Sequence, residues 1–208
     1  MNSSPHKPIA LSAVLITLNA GRQFEAALKS LKFCDDIVVV DSHSIDDTAE
    51  IAFRYGARVV QQDWLGFGPQ KQFAVAQAKH DWVLCLDADE RVTPELEQSI
   101  RAMMQQAEQD LLPASIAGFD MPRCNFFLGR YLRHGEGYPD YSRRLFNRQR
   151  ANWSNDAVHE KVEAVTSSYH FEKLRGDLDA LALREPRVAA QIARIGYPEP
   201  RLRDRGFV

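Results

Sequence analysis

Three apolar runs of the sequence end in side chains that could carry polar chemistry. The runs end at Thr17-Leu-Asn19, at Asp41-Ser42 and at Asp87-Ala-Asp89-Glu90. Ligands of open α/β sheets bind outside the carboxyl ends of parallel strands, so we expect these side chains to share one crevice. Several carboxylates in one crevice repel one another unless a cation neutralises them, and this repulsion predicts a bound metal.

Asp87 and Asp89 have the spacing of two metal ligands. Side chains at positions i and i+2 of a strand end point the same way, so both carboxylates could face one divalent ion and the diphosphate that it bridges. Oxygen ligands with phosphate co-ligands are what Mg²⁺ or Mn²⁺ prefers. The alternative is a solvated acidic turn whose acids favour the helix that follows.

Two further segments have both a functional and a structural interpretation. Asp41 could accept a hydrogen bond from a nucleobase N–H, or it could simply end a strand before the capping box of Ser44-Ile-Asp-Asp47. Gly66-Phe-Gly-Pro-Gln-Lys71 precedes a helix, where backbone N–H groups can approach a phosphate. Lys71 could pair with a diphosphate there, or it could be an ordinary solvated lysine.

The elements that position these residues alternate between strands and helices. Apolar strands separated by helices predict an α/β fold with a mainly parallel sheet covered on both faces. Mixed strands should follow from residue 116, and the chain should be helical from Leu174 onward. The predicted strands are 12–17, 36–41, 57–61, 82–87, 116–121, 143–147 and 157–165, and the predicted helices are 22–32, 44–56, 66–79 and 93–109.

Composition excludes several classes of protein. The 208 residues carry 26 basic and 28 acidic side chains, so the net charge of -2 gives no overall attraction to nucleic acid. No stretch reaches the ~18 apolar residues of a spanning helix, and the short polar start lacks the apolar core of a secretory signal. The three cysteines form no CxxC pair, which argues against a disulfide framework or a zinc site. We therefore expect a cytoplasmic protein.

The motifs taken together resemble family 2 glycosyltransferases of the GT-A fold, and among them lipopolysaccharide-core enzymes of the heptose β-glucosyltransferase type. The resemblance spans about residues 9 to 178 and implies a nucleotide-diphosphate sugar donor, a divalent metal and inversion at the anomeric carbon. It also implies a donor-binding half at 1–110 and an acceptor-binding half at 111–177. The segments that carry it are Leu15–Asn19, Val39–Thr48, Gly68–Lys71, Leu86–Glu90, Gly129–Arg133, Tyr138–Phe146 and Trp153–Glu160.

The resemblance also implies roles for individual residues of the donor half. Thr17 and Asn19 would lie near the nucleoside, and Asp41 would contact its base. The resemblance favours uridine as that nucleoside. Lys71 would lie near the nucleotide. Asp87 would lie near the ribose or the metal, with Ala88 beside it, and Asp89 would bind the metal.

The acceptor half offers two candidate bases. An inverting transfer needs a carboxylate opposite the leaving diphosphate, and the resemblance makes Glu160 the first choice and Asp140 the second. His159 is expected to contact the acceptor. Seven arginines against two acids between Arg123 and Arg150, interleaved with aromatic rings, suit an anionic glycan, and Arg143 and Arg144 belong to this set. Such a composition also occurs in proteins that bind single-stranded nucleic acid, but the acidic crevice argues against that reading.

The leading hypothesis is an inverting, metal-dependent glycosyltransferase acting on a lipid-linked or core oligosaccharide, with peripheral contact to the inner face of the cell membrane. The alternatives are a sugar-phosphate nucleotidyltransferase and a truncated, non-catalytic nucleotide-sugar-binding protein. Residues 178–208 depart from the family and faintly resemble the start of a helix-hairpin-helix DNA glycosylase. We therefore interpret them as an atypical tail, truncated or fused.

Overall fold

The computed structural model describes residues 9–128, 130–135, 138–156, 159–166, 168 and 170–180. Within them lie twelve strands and four α-helices. The strands are β1 (Ile9–Thr17), β2 (Cys34–Asp41), β3 (Arg58–Gln61), β4 (Trp82–Asp87), β5 (Glu90–Val92), β6 (Ile116–Phe127), β7 (Arg130–Tyr131), β8 (Asp140–Asn147), β9 (Ala151–Trp153), β10 (Val162–Ala164), β11 (His170–Lys173) and β12 (Leu178–Ala180). The helices are α1 (Phe24–Ser30), α2 (Thr48–Arg54), α3 (Phe67–Ala76) and α4 (Pro94–Glu108).

One large sheet organises the described residues. Its strand order is β3-β2-β1-β4-β8-β6-β12-β5, with β7 and β11 also paired to β6. The first four strands are parallel, and β8 joins β4 in the antiparallel sense. The predicted α/β class with a mainly parallel sheet and added mixed strands is therefore confirmed.

The strands form because their side chains are apolar on both faces. Val39 and its neighbours Val38 and Val40 point to opposite sides of β2, and each side has its own hydrophobic core. Helices α1, α2 and α4 cover the first side. Helix α3 and the β9–β10 hairpin cover the second side, where Phe146 and Trp153 are buried.

Local signals place the helix boundaries well in one case and poorly in another. Thr93 caps α4 as predicted, and its hydroxyl accepts a hydrogen bond from the Leu96 N–H at 3.3 Å. Helix α2 begins only at Thr48, because the Ser44 hydroxyl predicted to cap it is instead bonded to the Asp41 carboxylate at 2.5 Å. The predicted capping box at Ser44 is therefore wrong.

Two predictions for the second half are also corrected. The predicted strand 157–165 is shorter and lies in the separate β9–β10 hairpin, not in the main sheet. The helix expected from Leu174 is absent up to residue 180, where β12 pairs with β6 and β5. The fully buried Leu178 side chain explains the strand, because it completes the first core. The predictions for 1–8 and for the rest of the tail lie outside the described residues.

No helix among those the structure describes is long and apolar enough to cross a membrane.

A buried carboxylate ties together the amino ends of the parallel strands. Asp36 in β2 accepts hydrogen bonds from the Ser12 hydroxyl at 2.7 Å, from two Arg58 nitrogens at 2.9 and 3.0 Å, and from the Lys79 backbone N–H at 3.0 Å. Burial raises the pKa of Asp36, but these donors outweigh it and lower the pKa below its ordinary value.

Replacing Asp36 with asparagine is expected to lower the free energy of unfolding at pH 7 by about 2 kcal/mol, because charge-assisted hydrogen bonds are lost. Since the folded-state pKa of Asp36 is depressed, its contribution is present above the unfolded pKa and is lost as the pH falls through the folded pKa. Urea unfolding should therefore show the gap between wild type and variant closing in acid. Asp35→Asn, at an exposed neighbouring position, is the control, and an equal loss there would contradict the assignment.

Candidate active site

The polar ends of the first, second and fourth strands meet at one edge of the sheet, as predicted. Thr17 of β1 is in register with Asp41 of β2, and Ile16 of β1 is in register with Asp87 of β4. Asp41 and Asp87 are thus two strand spacings apart, about 10 Å.

The Asp41 carboxylate is occupied by the protein's own donors. It accepts hydrogen bonds from the Thr17 hydroxyl at 2.8 Å, the Ser44 N–H at 2.9 Å, the Ser44 hydroxyl at 2.5 Å and the Gln61 amide at 3.2 Å. The Asp41 residue is fully buried. A nucleobase N–H would have to displace one of these donors, so the predicted contact between Asp41 and the base requires a local rearrangement.

Asn19 holds the loop after β1 against the loop after β2. Its backbone N–H donates to the Ser44 hydroxyl at 2.7 Å, and its side-chain oxygen accepts from the Ile45 N–H at 2.8 Å. Its backbone is left-handed, with φ of 50°, a conformation that asparagine tolerates better than most residues. The side-chain nitrogen of Asn19 is buried and has no hydrogen-bond partner among the described residues. Asn19 therefore joins the two loops and leaves both N–H bonds of its side-chain amide unsatisfied.

A charged cluster surrounds the end of β4; it comprises Lys71, Asp87, Glu90, Arg144 and Glu160. The Lys71 ammonium lies 2.8 Å from an oxygen of Asp87 and 2.8 Å from an oxygen of Glu160. The Arg144 guanidinium lies 2.6 Å from the other oxygen of Asp87 and 2.7 Å from Glu90. The cluster thus joins β4 to α3, to β8 and to the segment before β10.

Burial and pairing determine how these groups ionise. Burial would raise the pKa of Asp87, but Arg144 and Lys71 outweigh it and hold the pKa well below its usual value. Burial raises the pKa of Glu90 to about 7, although Arg144 opposes the shift. Burial would lower the pKa of Lys71, but Asp87 outweighs it and the pKa is raised. The cluster holds three carboxylates and two cations, so Glu90 is the group for which the charged form is least favourable.

The structure changes the reason for expecting a metal. Asp41 is satisfied by hydrogen bonds and Asp87 by two protein cations, so much of the negative charge at the strand ends is offset within the chain. In the described part of the chain, no group of three or more His, Cys, Asp or Glu side chains could hold a metal ion. Repulsion between Asp41 and Asp87 alone therefore does not require a divalent cation.

The two predicted metal ligands differ in how well they fit an ion. Both oxygens of Asp87 are paired with cations, and the predicted role of Asp87 as a metal ligand does not fit those contacts. Asp89 lies two residues further on, half-buried in the turn between β4 and β5, with Ala88 before it. One carboxylate together with substrate phosphates is a common way to hold Mg²⁺, so Asp89 fits a cation that also binds a diphosphate.

The predicted acceptor-side residues lie in three different environments. His159 is exposed beside Glu160 in a left-handed conformation, with φ of 64°. Arg143 is half-exposed, donates to Asp120 at 3.1 Å, and lies over the Phe171 ring. Arg144, unlike Arg143, is buried in the charged cluster, so the predicted contact between Arg144 and the acceptor is corrected.

Asp140, the second candidate base, is separate from the charged cluster. It starts β8 and is paired with Arg123 of β6, both of whose contacting nitrogens bond the same Asp140 oxygen. Of the two candidates, only Glu160 is joined to the strand end that carries Asp87.

Glu90 and Trp153 are members of the site to which the sequence analysis assigned no role of their own. Glu90 is 1% exposed and accepts the Asp87 N–H at 3.0 Å, while Trp153 lies under the Lys71 ammonium at 4.8 Å from the ring centre. The run Asp87-Ala-Asp-Glu90 contained a signal for Glu90, since a third acid so close to an apolar strand needs a cation. For Trp153, the signal was an indole beside the Val-His-Glu motif.

The chain is similar to curated bacterial proteins over part of their length. Lipopolysaccharide core biosynthesis glycosyltransferase LpsC of Rhizobium meliloti is 32% identical over 158 residues, which cover 66% of this chain and 56% of LpsC. An uncharacterized glycosyltransferase of Rickettsia bellii is 43% identical over 101 residues, covering 48% of this chain and 34% of that protein. The chain therefore spans between about a third and about half of the length of these relatives.

A solved structure with a similar fold is S. aureus TarS 1-349, with a TM-score of 0.48 and 23% identity over 61% of this chain and 39% of that chain. The sequence pattern of glycosyl transferase family 2 matches residues 12–165, which contain the parallel strands, the charged cluster and both candidate bases. This match covers most of the chain and agrees with the sequence resemblance. The chain belongs to glycosyltransferase family 2.

Proposed function

We propose that this chain carries the catalytic site of an inverting glycosyltransferase that uses a uridine-diphosphate sugar. The acceptor is a lipopolysaccharide-core or other cell-envelope glycan, met at the cytoplasmic face of the membrane. The observation that carries the proposal is the Lys71 bridge. It joins Asp87, at the strand end expected to hold the donor, to Glu160, a carboxylate from the acceptor half.

The acceptor class rests on a relative and on surface chemistry. LpsC is named for lipopolysaccharide core biosynthesis, and it aligns with two thirds of this chain. Arg143 and Lys173 lie over the rings of Phe171 and Tyr141, at 4.5 and 4.1 Å from the ring centres. Cations stacked on exposed aromatic rings suit a phosphorylated sugar, because the rings pack against the sugar and the cations attract the phosphate.

The proposed reaction is a displacement at the anomeric carbon. An acceptor hydroxyl attacks that carbon from the face opposite the diphosphate, and Glu160 takes the hydroxyl proton as the new C–O bond forms. The bond to the diphosphate oxygen breaks, nucleoside diphosphate leaves, and the configuration inverts. Thr17 and Asn19 shape the nucleoside end of the site. A divalent cation held by Asp89 and the diphosphate would supply positive charge to the leaving group.

Replacing Asp89 with alanine is expected to remove the effect of manganese on donor binding. In wild type, Mn²⁺ should increase the thermal shift caused by a uridine-diphosphate sugar, because bound ligand stabilises the folded state. The variant should lose about tenfold or more of this affinity, since losing a metal ligand costs at least as much as losing an outer-shell partner. Asp63→Ala, at an exposed position, is the matched control. An unchanged manganese effect in Asp89→Ala would remove Asp89 from the proposal.

Turnover by the wild-type chain tests the function as a whole. A panel of uridine-diphosphate sugars is incubated with core oligosaccharide, and the released product is identified. Release of uridine diphosphate, together with a glycoside whose anomeric configuration is opposite to that of the donor sugar, supports the proposal. Release of pyrophosphate would indicate nucleotidyl transfer instead. Donor binding without turnover on any envelope acceptor would indicate a binding protein.

A further inference from the structure

The start of α3 is packed against the segment that carries Glu160. A Cβ built on Gly68 would lie 2.1 Å from the Ser154 carbonyl oxygen and 3.2 Å from that of Asp156, so only glycine allows the two backbones to lie this close. The backbone N–H of Trp153 donates to the side-chain oxygen of Gln72 at 2.9 Å. The glycine at 68 therefore serves chain packing, where the sequence had indicated a phosphate-binding turn.

Lys71 lies one turn after Gly68 on the same side of α3, and its ammonium is fixed from three directions. Asp87 and Glu160 each lie 2.8 Å away, and the Trp153 ring lies beneath at 4.8 Å from its centre. Only 7% of the Lys71 side chain is exposed. An incoming diphosphate would have to displace Asp87 or Glu160 to reach this ammonium.

We propose that Lys71 is a positioning residue for Glu160 and not a ligand of the donor. Asp87 and Trp153 hold the ammonium, and the ammonium holds the Glu160 carboxylate at one place beside the end of β4. This inference rests on the proposed function, because Glu160 is there the base. It assigns the link between Glu160 and the donor half to one ion pair between residues 89 positions apart.

The geometry of the Glu160 segment indicates what the ion pair restrains. Next to Glu160, the Lys161 N–H donates to the Ser154 hydroxyl at 3.1 Å, and the Ser154 N–H donates to the Lys161 carbonyl at 2.8 Å. His159 before it has a left-handed backbone, which costs free energy for a residue other than glycine. Without Lys71, these few bonds alone would hold the carboxylate in place.

Transfer kinetics separate a positioning role from a donor-binding role. Lys71→Met should lower kcat about a hundredfold, as much as Glu160→Gln, while the donor Kd changes by less than about threefold. The double variant should be no slower than Glu160→Gln alone, because both changes remove the same interaction. Lys71→Arg should recover about tenfold or more of the loss. Lys79→Met, three residues after α3 with an exposed ammonium, is the control. A tenfold weaker donor Kd with kcat retained would overturn the proposal.

Hydrogen exchange tests the same link without any activity. The Ser154 and Lys161 amides should exchange about tenfold faster in Lys71→Met and in Glu160→Gln than in wild type or Lys79→Met. Glu160→Gln keeps the Lys71–Asp87 pair, so this arm remains informative if Lys71→Met does not fold. Unchanged exchange in Glu160→Gln would overturn the positioning role. If wild type lacks transfer but exchange responds as expected, the proposed function fails while the structural link stands.

Discussion

Replacing Arg144 with glutamine is expected to lower the free energy of unfolding by about 3–5 kcal/mol. The guanidinium is 4% exposed and is the shared partner of Asp87 and Glu90. Without it, Glu90 is left buried beside the ionised Asp87, with the Asp87 N–H as its remaining donor among the described contacts. Urea denaturation at pH 7 measures the loss, because the change in midpoint multiplied by the slope gives the free energy.

The neighbouring Arg143 provides a matched control for Arg144. Arg143→Gln removes the same charge from the preceding residue of β8, where the pair with Asp120 is half-exposed, so a loss of about 1 kcal/mol or less is expected. Adding Glu90→Gln to Arg144→Gln should recover part of the stability, because one buried charge is removed with its partner. A loss in Arg144→Gln no larger than in Arg143→Gln would contradict the buried cluster.

The polar strand ends were predictable because they follow from local pattern and general topology. Thr17, Asp41 and Asp87 each end an apolar run, and parallel strands present such ends at one edge. The residues that neutralise Asp87 were assigned elsewhere. Arg144 was grouped with the acceptor arginines, since nothing local says which strand β8 pairs with.

Alternation along β8 contained a signal for the burial of Arg144. Arg144 is two residues before Phe146, so simple alternation places it on the face of the second core, although the β6–β8 pairing shifts register at this point. Since Phe146 lies in the second core beside Trp153, an arginine on that face must be paired. Its partner could be known only after β4 and β8 were seen side by side, because that pairing joins residues about sixty positions apart.

The argument that carboxylate repulsion requires a metal failed for the same reason. Counting acids along the sequence showed an excess at the strand ends, but cations that neutralise them come from α3 and from β8. Lys71 was expected to contact the donor, and long-range packing instead surrounds it with two carboxylates and an indole ring. The strand β12 was missed for a related reason. Its Ala-rich and Leu-rich sequence favours a helix, but Leu178 is buried in the first core, and this long-range packing makes the segment a strand.

Glu160→Gln is expected to lower the transfer rate by about a hundredfold or more while leaving donor affinity nearly unchanged. Glutamine has nearly the same shape but loses the charged pair with Lys71, so the donor side of the site is kept while the segment that carries residue 160 is held less firmly. It cannot take the proton of the attacking hydroxyl, and only that step is lost. The measurement is kcat with saturating donor and acceptor, together with the donor Kd from thermal shifts.

Asp140→Asn is the matched variant for the competing assignment. The Asp140 carboxylate is bound to Arg123 of β6, away from the charged cluster, so its loss should leave the transfer rate within about threefold of wild type. A Glu160→Gln enzyme of wild-type speed, with a slow Asp140→Asn enzyme, would transfer the base role to Asp140. Because Lys71 pairs with Glu160 and not with Asp140, that result would also leave the ion pair between the two halves without a role in proton transfer.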